Sequence, residues 1–430
     1  MLSLRSALAC AAIFLASDAT LAQAPDTPAP PAMLGTSSSA LRASLHALWD
    51  SSPQIRAARS ELDAARARER ASRQALYNPT LSLDAENADV DRRSASIGLT
   101  LDVSGKRRAR ATEGAAVLQA GESAFQIARR DLAARWLRAW TATIIAQRQA
   151  QLGQHRVELM QRFDTLAAQR LTVGDISAPE RDLAALALGE AQAAQATLLG
   201  DAATARATLR SLVEVPGDAL PPLPAALPPP SREFAARAVE ELPELQLADA
   251  QVRRSDAAAT VARRNRIPDP TISLTGGQVR SGPLNDRIAD RVVGLGISIP
   301  LPLLNSGGAE VDATRAEGDA AAAQLASQRL ALLAMQDETR ARYDALREAA
   351  DAFRSGRAAA FEDRTALLEK LWRAGEIGTS DYLVQLKQSL DTALSGLELE
   401  NRLWQAWFDY LRATGRLVDW IDGHSQEASR

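Results

Sequence analysis

Apolar residues recur at two different periods along this 430-residue chain, and the changes of period mark out its plan. Over most of its length the spacing is three to four residues, which gives a helix one apolar face. Helices are expected at about 53–76, 105–170, 177–213, 243–266, 308–373 and 379–415. In four stretches the period drops to two. Leu81, Leu83 and Ala85 alternate with Ser82, Asp84 and Glu86; Ala95, Ile97, Leu99, Leu101 and Val103 alternate with Ser94, Ser96, Gly98, Thr100 and Asp102. Ile272 and Leu274 alternate with Thr271, Ser273 and Thr275; Val293, Leu295, Ile297 and Ile299 alternate with Gly294, Gly296 and Ser298. These read as two β-hairpins, at about 79–103 and 270–300.

The pattern is written twice. Asn78–Leu83 returns as Asp269–Leu274, about 190 residues later, in the same setting of helix, hairpin, long helix and return helix. A first half spans 41–213 and a second 232–417. The connector 214–231 holds Pro216, Pro221, Pro222, Pro224, Pro228, Pro229 and Pro230, which excludes helix and sheet ladders. Each long helix is about 66 residues, roughly 100 Å. The two shorter helices of each half sum to nearly that length, so end-to-end stacking beside the long helix is expected. Leu383, Leu386, Leu390, Leu394, Leu397, Trp404, Phe408 and Leu411 form a coiled-coil seam, as do Leu118, Phe125 and Leu132.

The ends read differently. Arg5, the apolar run Ala7–Ala16 and the small residues around Thr20–Ala22 predict a signal peptide at 1–22, with Cys10, the single cysteine, inside it. Ordinary cleavage is favoured over lipidation of Cys10. A Pro- and Ser-rich lead-in follows at 23–40, and 418–430 reads as a C-terminal tail. A net charge of −3 and 4% aromatics give no basic, aromatic-studded stripe for nucleic acid. His46, His155 and His424 are far apart, so no metal site and no cofactor is expected, and no catalytic constellation stands out.

Strands with one apolar and one polar face suit the wall of an outer-membrane barrel, lipid on one side and water on the other. Four strands cannot close a barrel, and an open edge in lipid is costly, so membrane strands require oligomerisation. Three copies supply twelve. The alternative is a soluble periplasmic coiled-coil scaffold with two half-buried hairpins. Tyr77 is the one aromatic near a strand end.

The inserted strand pairs, the duplicated halves, Asn78–Leu83, Gly105-Lys106-Arg107 and Ile299-Pro300-Leu301-Pro302 resemble the TolC-like outer-membrane efflux family over about 41–415. Val103-Ser104-Gly105-Lys106-Arg107 is most similar to the cobalt-zinc-cadmium cation-efflux branch. The resemblance implies a mainly α fold with a small β portion: long-helix hairpins in an α-barrel, and four strands per chain in a trimeric twelve-stranded β-barrel. It implies a passive duct in the outer membrane of a Gram-negative bacterium. The partners implied are a periplasmic adaptor (membrane fusion) protein and an inner-membrane RND-type pump. Divalent heavy-metal cations are the expected cargo, with drug efflux or type I secretion as alternatives.

Candidate residues fall in three groups. At the turns ending the long helices, Gly174 and Gly375 fit left-handed helix ends, while Ser177 and Thr379 are placed to cap the next helix. Family members dock the adaptor and narrow the pore there, which implicates Gly174, Asp175, Glu180, Gly375, Glu376 and Asp381; a gate aspartate of some relatives is replaced by Val384. Asp84, Glu86 and Asp102 share the polar face of the first hairpin, which becomes the barrel lumen if the apolar face meets lipid. Lys106, Arg107, Arg108 and Arg110 crowd a helix start, where the macrodipole disfavours cations. Lipid headgroups are the expected compensation. Arg92, Arg93, Arg280, Arg287 and Arg291 lie at outward strand ends, either solvated or set against outer-membrane lipid phosphates.

Overall fold

The computed structural model describes residues 37–87, 90–212, 220–281, 288–356 and 361–423. The signal peptide with Cys10, most of the lead-in, Arg287 and His424 lie outside the described residues. In chain order come α1 (Ser39–Ser51), α2 (Pro53–Ser72), β1 (Thr80–Glu86), β2 (Asp91–Thr100), α3 (Lys106–Val173) and α4 (Ala178–Arg210). The second half repeats the plan with α5 (Pro243–Asn265), β3 (Thr271–Ser281), β4 (Ile288–Ser298), α6 (Gly308–Ser355), α7 (Phe361–Arg373) and α8 (Thr379–Ala413), then α9 (Leu417–Asp422).

Three expectations change. The lead-in does not reach 40, because α1 starts at Ser39 and buries Leu41, Leu45, Leu48 and Trp49. The segment read as a tail contains α9, whose Trp420 and Ile421 are buried, and Ser37 and Arg42 bond its carbonyls. The helix expected at 308–373 is two helices, α6 and α7, and 357–360 lie outside the described residues.

The stacking expectation holds in outline. Helix α3 runs against both α2 and α4, and α6 packs against α5 and α8. Sequence explains the joints. Ser52 caps α2 with its hydroxyl on the Gln54 N–H, and Pro53 occupies the first helical position, where a missing N–H costs nothing. Gly105 and Gly307, at φ 75° and 67°, make the left-handed step from strand to long helix in both halves.

The main core gathers Leu132, Leu137 and Trp140 of α3, Tyr343 of α6, Leu403, Trp407, Phe408 and Leu411 of α8, and residues of α1 and α9. Each such side chain contributes about 1.5–3 kcal/mol by burial. The proline-rich connector is bound across this core. Its carbonyls accept from Trp140 (to Pro221, 2.9 Å), Arg347 (to Pro228, 3.0 Å) and Tyr343 (to Pro229, 2.5 Å). Prolines bring no N–H to satisfy, so side-chain donors to carbonyls complete the polar accounting there.

All four strands form one antiparallel sheet, in the order β1-β2-β3-β4. The central pairing, β2 with β3, joins the two repeats. Strands β3 and β4 are longer than the alternation indicated, because the ladder continues beyond the apolar positions to Ser281 and Ile288. Backbone pairing does not require an apolar face.

Candidate functional site

The register lines the apolar residues into rows. Leu81, Ile97, Leu274 and Leu295 are successive partners across the sheet; Leu83, Ala95, Gly276 and Val293 form the next row, and Leu99, Ile272 and Ile297 the row on the other side. These large side chains are exposed, Leu83 at 75% and Val293 at 79%. The exposed set continues past the ladder through Leu101, Val103, Ile299, Leu301, Leu303 and Leu304. Polar partners fill the other face, with Ser82, Ser96 and Thr275 in register. Along β3 the polar positions are the less accessible ones, so the polar face is the sheltered side.

Asp84 and Glu86 lie on that polar face and are exposed, with Arg92 opposite Glu86. Asp290 has the same side, as partner of Val279. Among the described residues of the sheet, three carboxylates there face one arginine. Asp102 does not join them. Its carboxylate accepts the N–H groups of Lys106 and Arg107, both at 2.8 Å, and so caps α3. The correction has a simple cause: the strand ends at Thr100, and the alternation that placed Asp102 on the lumen face stops applying.

Lys106 is also corrected. Rather than reaching a headgroup, it is buried and its ammonium sits 2.9 Å from Asp269 Oδ2. The Tyr77 hydroxyl donates to the same oxygen at 2.7 Å. The cationic helix start is therefore compensated by Asp102 along the axis and Asp269 from the other repeat. Asp269 stands where the first copy of the repeated motif has Asn78. That change from a neutral to a charged residue was the available signal. Arg107 and Arg108 remain exposed. A second link between the repeats, Arg130 bridging Glu244 at 2.5 and 2.9 Å, left no mark in the local pattern.

At the far end of the long helices both turns take the expected form. Gly174 and Gly375 have φ of 81° and 78°. The N–H groups of Asp175 and Glu376 return to the Arg170 and Leu371 carbonyls at 2.9 Å, as helix-ending turns require. Glu180 completes a capping box with Ser177. The backbone N–H of Ser177, and then its hydroxyl, hold the Glu180 carboxyl below its ordinary range. Thr379 does not act as the cap. Gly378 holds that position, and the buried Thr379 hydroxyl accepts from the Trp372 indole at 3.4 Å.

The two turns are neighbours. Arg170 lies 4.6 Å from the Trp372 ring centroid and donates to the Arg373 carbonyl at 3.1 Å. Phe163, Trp372 and Tyr382 pack together at 4.5–5.3 Å between centroids. Asp175, Glu180, Glu376 and Asp381 thus share one end of a paired hairpin assembly, with Asp381 exposed in the first turn of α8. Val384 is 62% exposed, next to a groove lined by Leu183, Leu186 and the Lys387–Glu190 ion pair.

No described helix is long and apolar enough to cross a membrane. Among the described residues there is no group of three metal-ligating side chains.

Comparison with known proteins fits this geometry. A model of the outer membrane efflux protein family matches residues 235–416. The chain is 26% identical over 277 residues to the cobalt-zinc-cadmium resistance protein CzcC of Cupriavidus metallidurans. That alignment covers 62% of this chain and 63% of the relative, so the chain matches just under two thirds of that protein's length. A crystal structure of a membrane protein from Pseudomonas aeruginosa superposes with a TM-score of 0.72 at 21% identity, covering 88% of this chain and 93% of that one. The Campylobacter jejuni CmeC outer membrane channel gives 0.73 at 12% identity, covering 90% and 89%. At those identities the superpositions speak for the fold.

Proposed function

We propose, from the premise that this chain belongs to the TolC-like outer membrane efflux protein family, that three copies form the outer-membrane exit duct of a tripartite efflux system whose cargo is divalent heavy-metal cations. The observation that carries the duct is the sheet. Its apolar residues form one exposed band, and its outer strands β1 and β4 have no further neighbour among the described residues. Lipid tolerates the band but not the edges. Joining β4 of one copy to β1 of the next closes a ring, and three copies give the even strand number such barrels use. Within the ladder the band rises about 13 Å along β2, from Ala95 to Leu99, and the exposed apolar residues Leu101, Val103, Ile299 and Leu301 continue it past the strand ends.

Members of this family conduct rather than catalyse. The work left to the chain is to hold an open water path and to control its inner end. Asp84, Glu86 and Asp290 make the outer part of the lumen acidic, which lowers the energy of a cation relative to an anion there. At the periplasmic end, the tips bearing Gly174, Asp175, Glu180, Gly375, Glu376 and Asp381 serve adaptor docking and gating. Selection of the ion falls to the adaptor and pump, the partners this reading requires.

Metal as cargo is supported by the likeness to CzcC and by the acidic lumen face. Deleting the gene tests it. The expected strain is hypersensitive to zinc, cobalt or cadmium with unchanged antibiotic tolerance. Drug hypersensitivity with unchanged metal tolerance would reassign the cargo and leave the duct standing.

A further inference from the structure

Just beyond the apolar band, the outward face of the sheet turns from hydrocarbon to cationic within one row. The row Leu83, Ala95, Gly276, Val293 is followed, two residues nearer the hairpin tips, by Ala85, Arg93, Gln278 and Arg291. The next row on the same face holds Asp91, Arg280 and Ala289. Arg93, Arg280 and Arg291 are all exposed. At strand spacings near 4.8 Å and a rise near 3.3 Å per residue, their backbones fall within about 10 Å of each other. None of the three has an ion-pair partner among the described residues. Asp91, opposite Arg280, is the one carboxylate described on this part of the face, so positive charge is left over. Arg92 points to the other face, opposite Glu86. The sequence pattern grouped Arg92 with the others; the register separates it.

We propose that Arg93, Arg280 and Arg291 form a belt that binds the phosphate groups of the outer-leaflet glycolipid, lipid A. This rests on the reading of the sheet as an outer-membrane wall with its hairpin tips outward. A guanidinium matches phosphate with a forked pair of charge-assisted hydrogen bonds, and Arg keeps its charge at any working pH. The belt stands where the acyl chains packed on Leu83 and Val293 end, which is where their phosphates must lie. A trimer repeats it three times around the barrel.

The test uses the full assembled protein in mild detergent, titrated with bisphosphorylated lipid A, monophosphoryl lipid A, phosphatidylglycerol or inorganic phosphate. Native mass spectrometry reads the lipid retained per chain. The parent is expected to favour bisphosphorylated lipid A, with free phosphate failing to displace it. The triple variant R93Q/R280Q/R291Q is expected to lose at least about tenfold in affinity, and Arg92→Gln to stay within about twofold. Equal binding by the triple variant, an equal loss in Arg92→Gln, or displacement by free phosphate would each overturn the belt. Should the triple variant fail to assemble, Arg93→Gln and Arg291→Gln decide alone: about threefold weaker binding supports the belt, and unchanged binding in both overturns it. Fractionation of the same cells separates the two readings. An outer-membrane protein indifferent to its arginines loses the belt and keeps the duct, whereas release without detergent removes both.

Discussion

The long helices α3 and α6 hold equivalent places in the two repeats, yet they are surrounded very differently. Helix α3 is packed by α2, α4, α5 and α8, and buries side chains from Lys106 to Ala167. Helix α6 is covered mainly by α5 and α8, and its buried residues are Val311, Thr314, Leu332, Tyr343 and Ala350. A stripe along its open side, Ala316, Ala320, Ala323, Ser327, Leu330 and Ala334, is exposed at helical spacing. Small residues let another backbone approach closely. The sheet does not share this contrast: each repeat supplies one strand paired on both sides, β2 or β3, and one edge among the described residues, β1 or β4. In the helices duplication thus yields one covered half and one open half, and in the proposed duct a ring of copies would complete the open one head to tail.

The sharpest way to break that comparison is to damage each helix in turn. Trp140→Ala in α3 removes a buried indole and its hydrogen bond to the connector, and should cost about 3–5 kcal/mol, read as a large fall in unfolding midpoint. A comparable fall from Leu330→Ala, on the open stripe of α6, would erase the distinction.

Next in size is the junction. Lys106→Met takes the cationic partner from the buried Asp269 and leaves it the Tyr77 hydroxyl, with an expected loss of about 3–5 kcal/mol in denaturant titration. Pairing it with Asp269→Leu should restore much of that loss. A single variant as stable as the parent would mean that the salt bridge does not tie the repeats together.

Leu330→Glu should act on assembly rather than on the fold. The expected outcome is unchanged helical circular dichroism with trimers replaced by smaller species in detergent. Intact trimers would place the subunit contact elsewhere.

The smallest effect concerns Glu180. Its carboxyl titrates below the ordinary value, so its contribution is complete above about pH 4.5, and is lost as pH falls through the lowered value. The protection of the amides at the start of α4, taken relative to their intrinsic exchange rate at each pH, should therefore fall between pH 5 and pH 3. Glu180→Gln should flatten that dependence. An unaltered pH profile in the variant would remove Glu180 from the cap.

Much of this plan was legible from spacing alone. Helix periods, the period-two segments and the repeated Pro-Thr motif located the hairpins, and Gly174 and Gly375 announced the tip turns, because left-handed helix ends favour glycine. Charges were misread where their partners are distant. Lys106 and Asp269 are 163 positions apart and belong to different repeats, so no local pattern joins them. Asp102 looked like one more polar strand position because alternation says nothing about where a ladder stops. Helices α1 and α9 were overlooked although Leu41, Leu45, Leu48 and Trp49 have helical spacing; they are short and lie beside segments whose composition reads as lead-in and tail. The sides of Arg92 and Arg93 needed only parity, but what each faces required the register of β2 with β3.

The claim on which the rest depends is that the exposed rim of one copy is completed by two others within the outer membrane. Light scattering coupled to size-exclusion chromatography, on protein extracted from the outer-membrane fraction in mild detergent, tests it most directly. The account predicts a particle of three chains; a particle of one chain would contradict it.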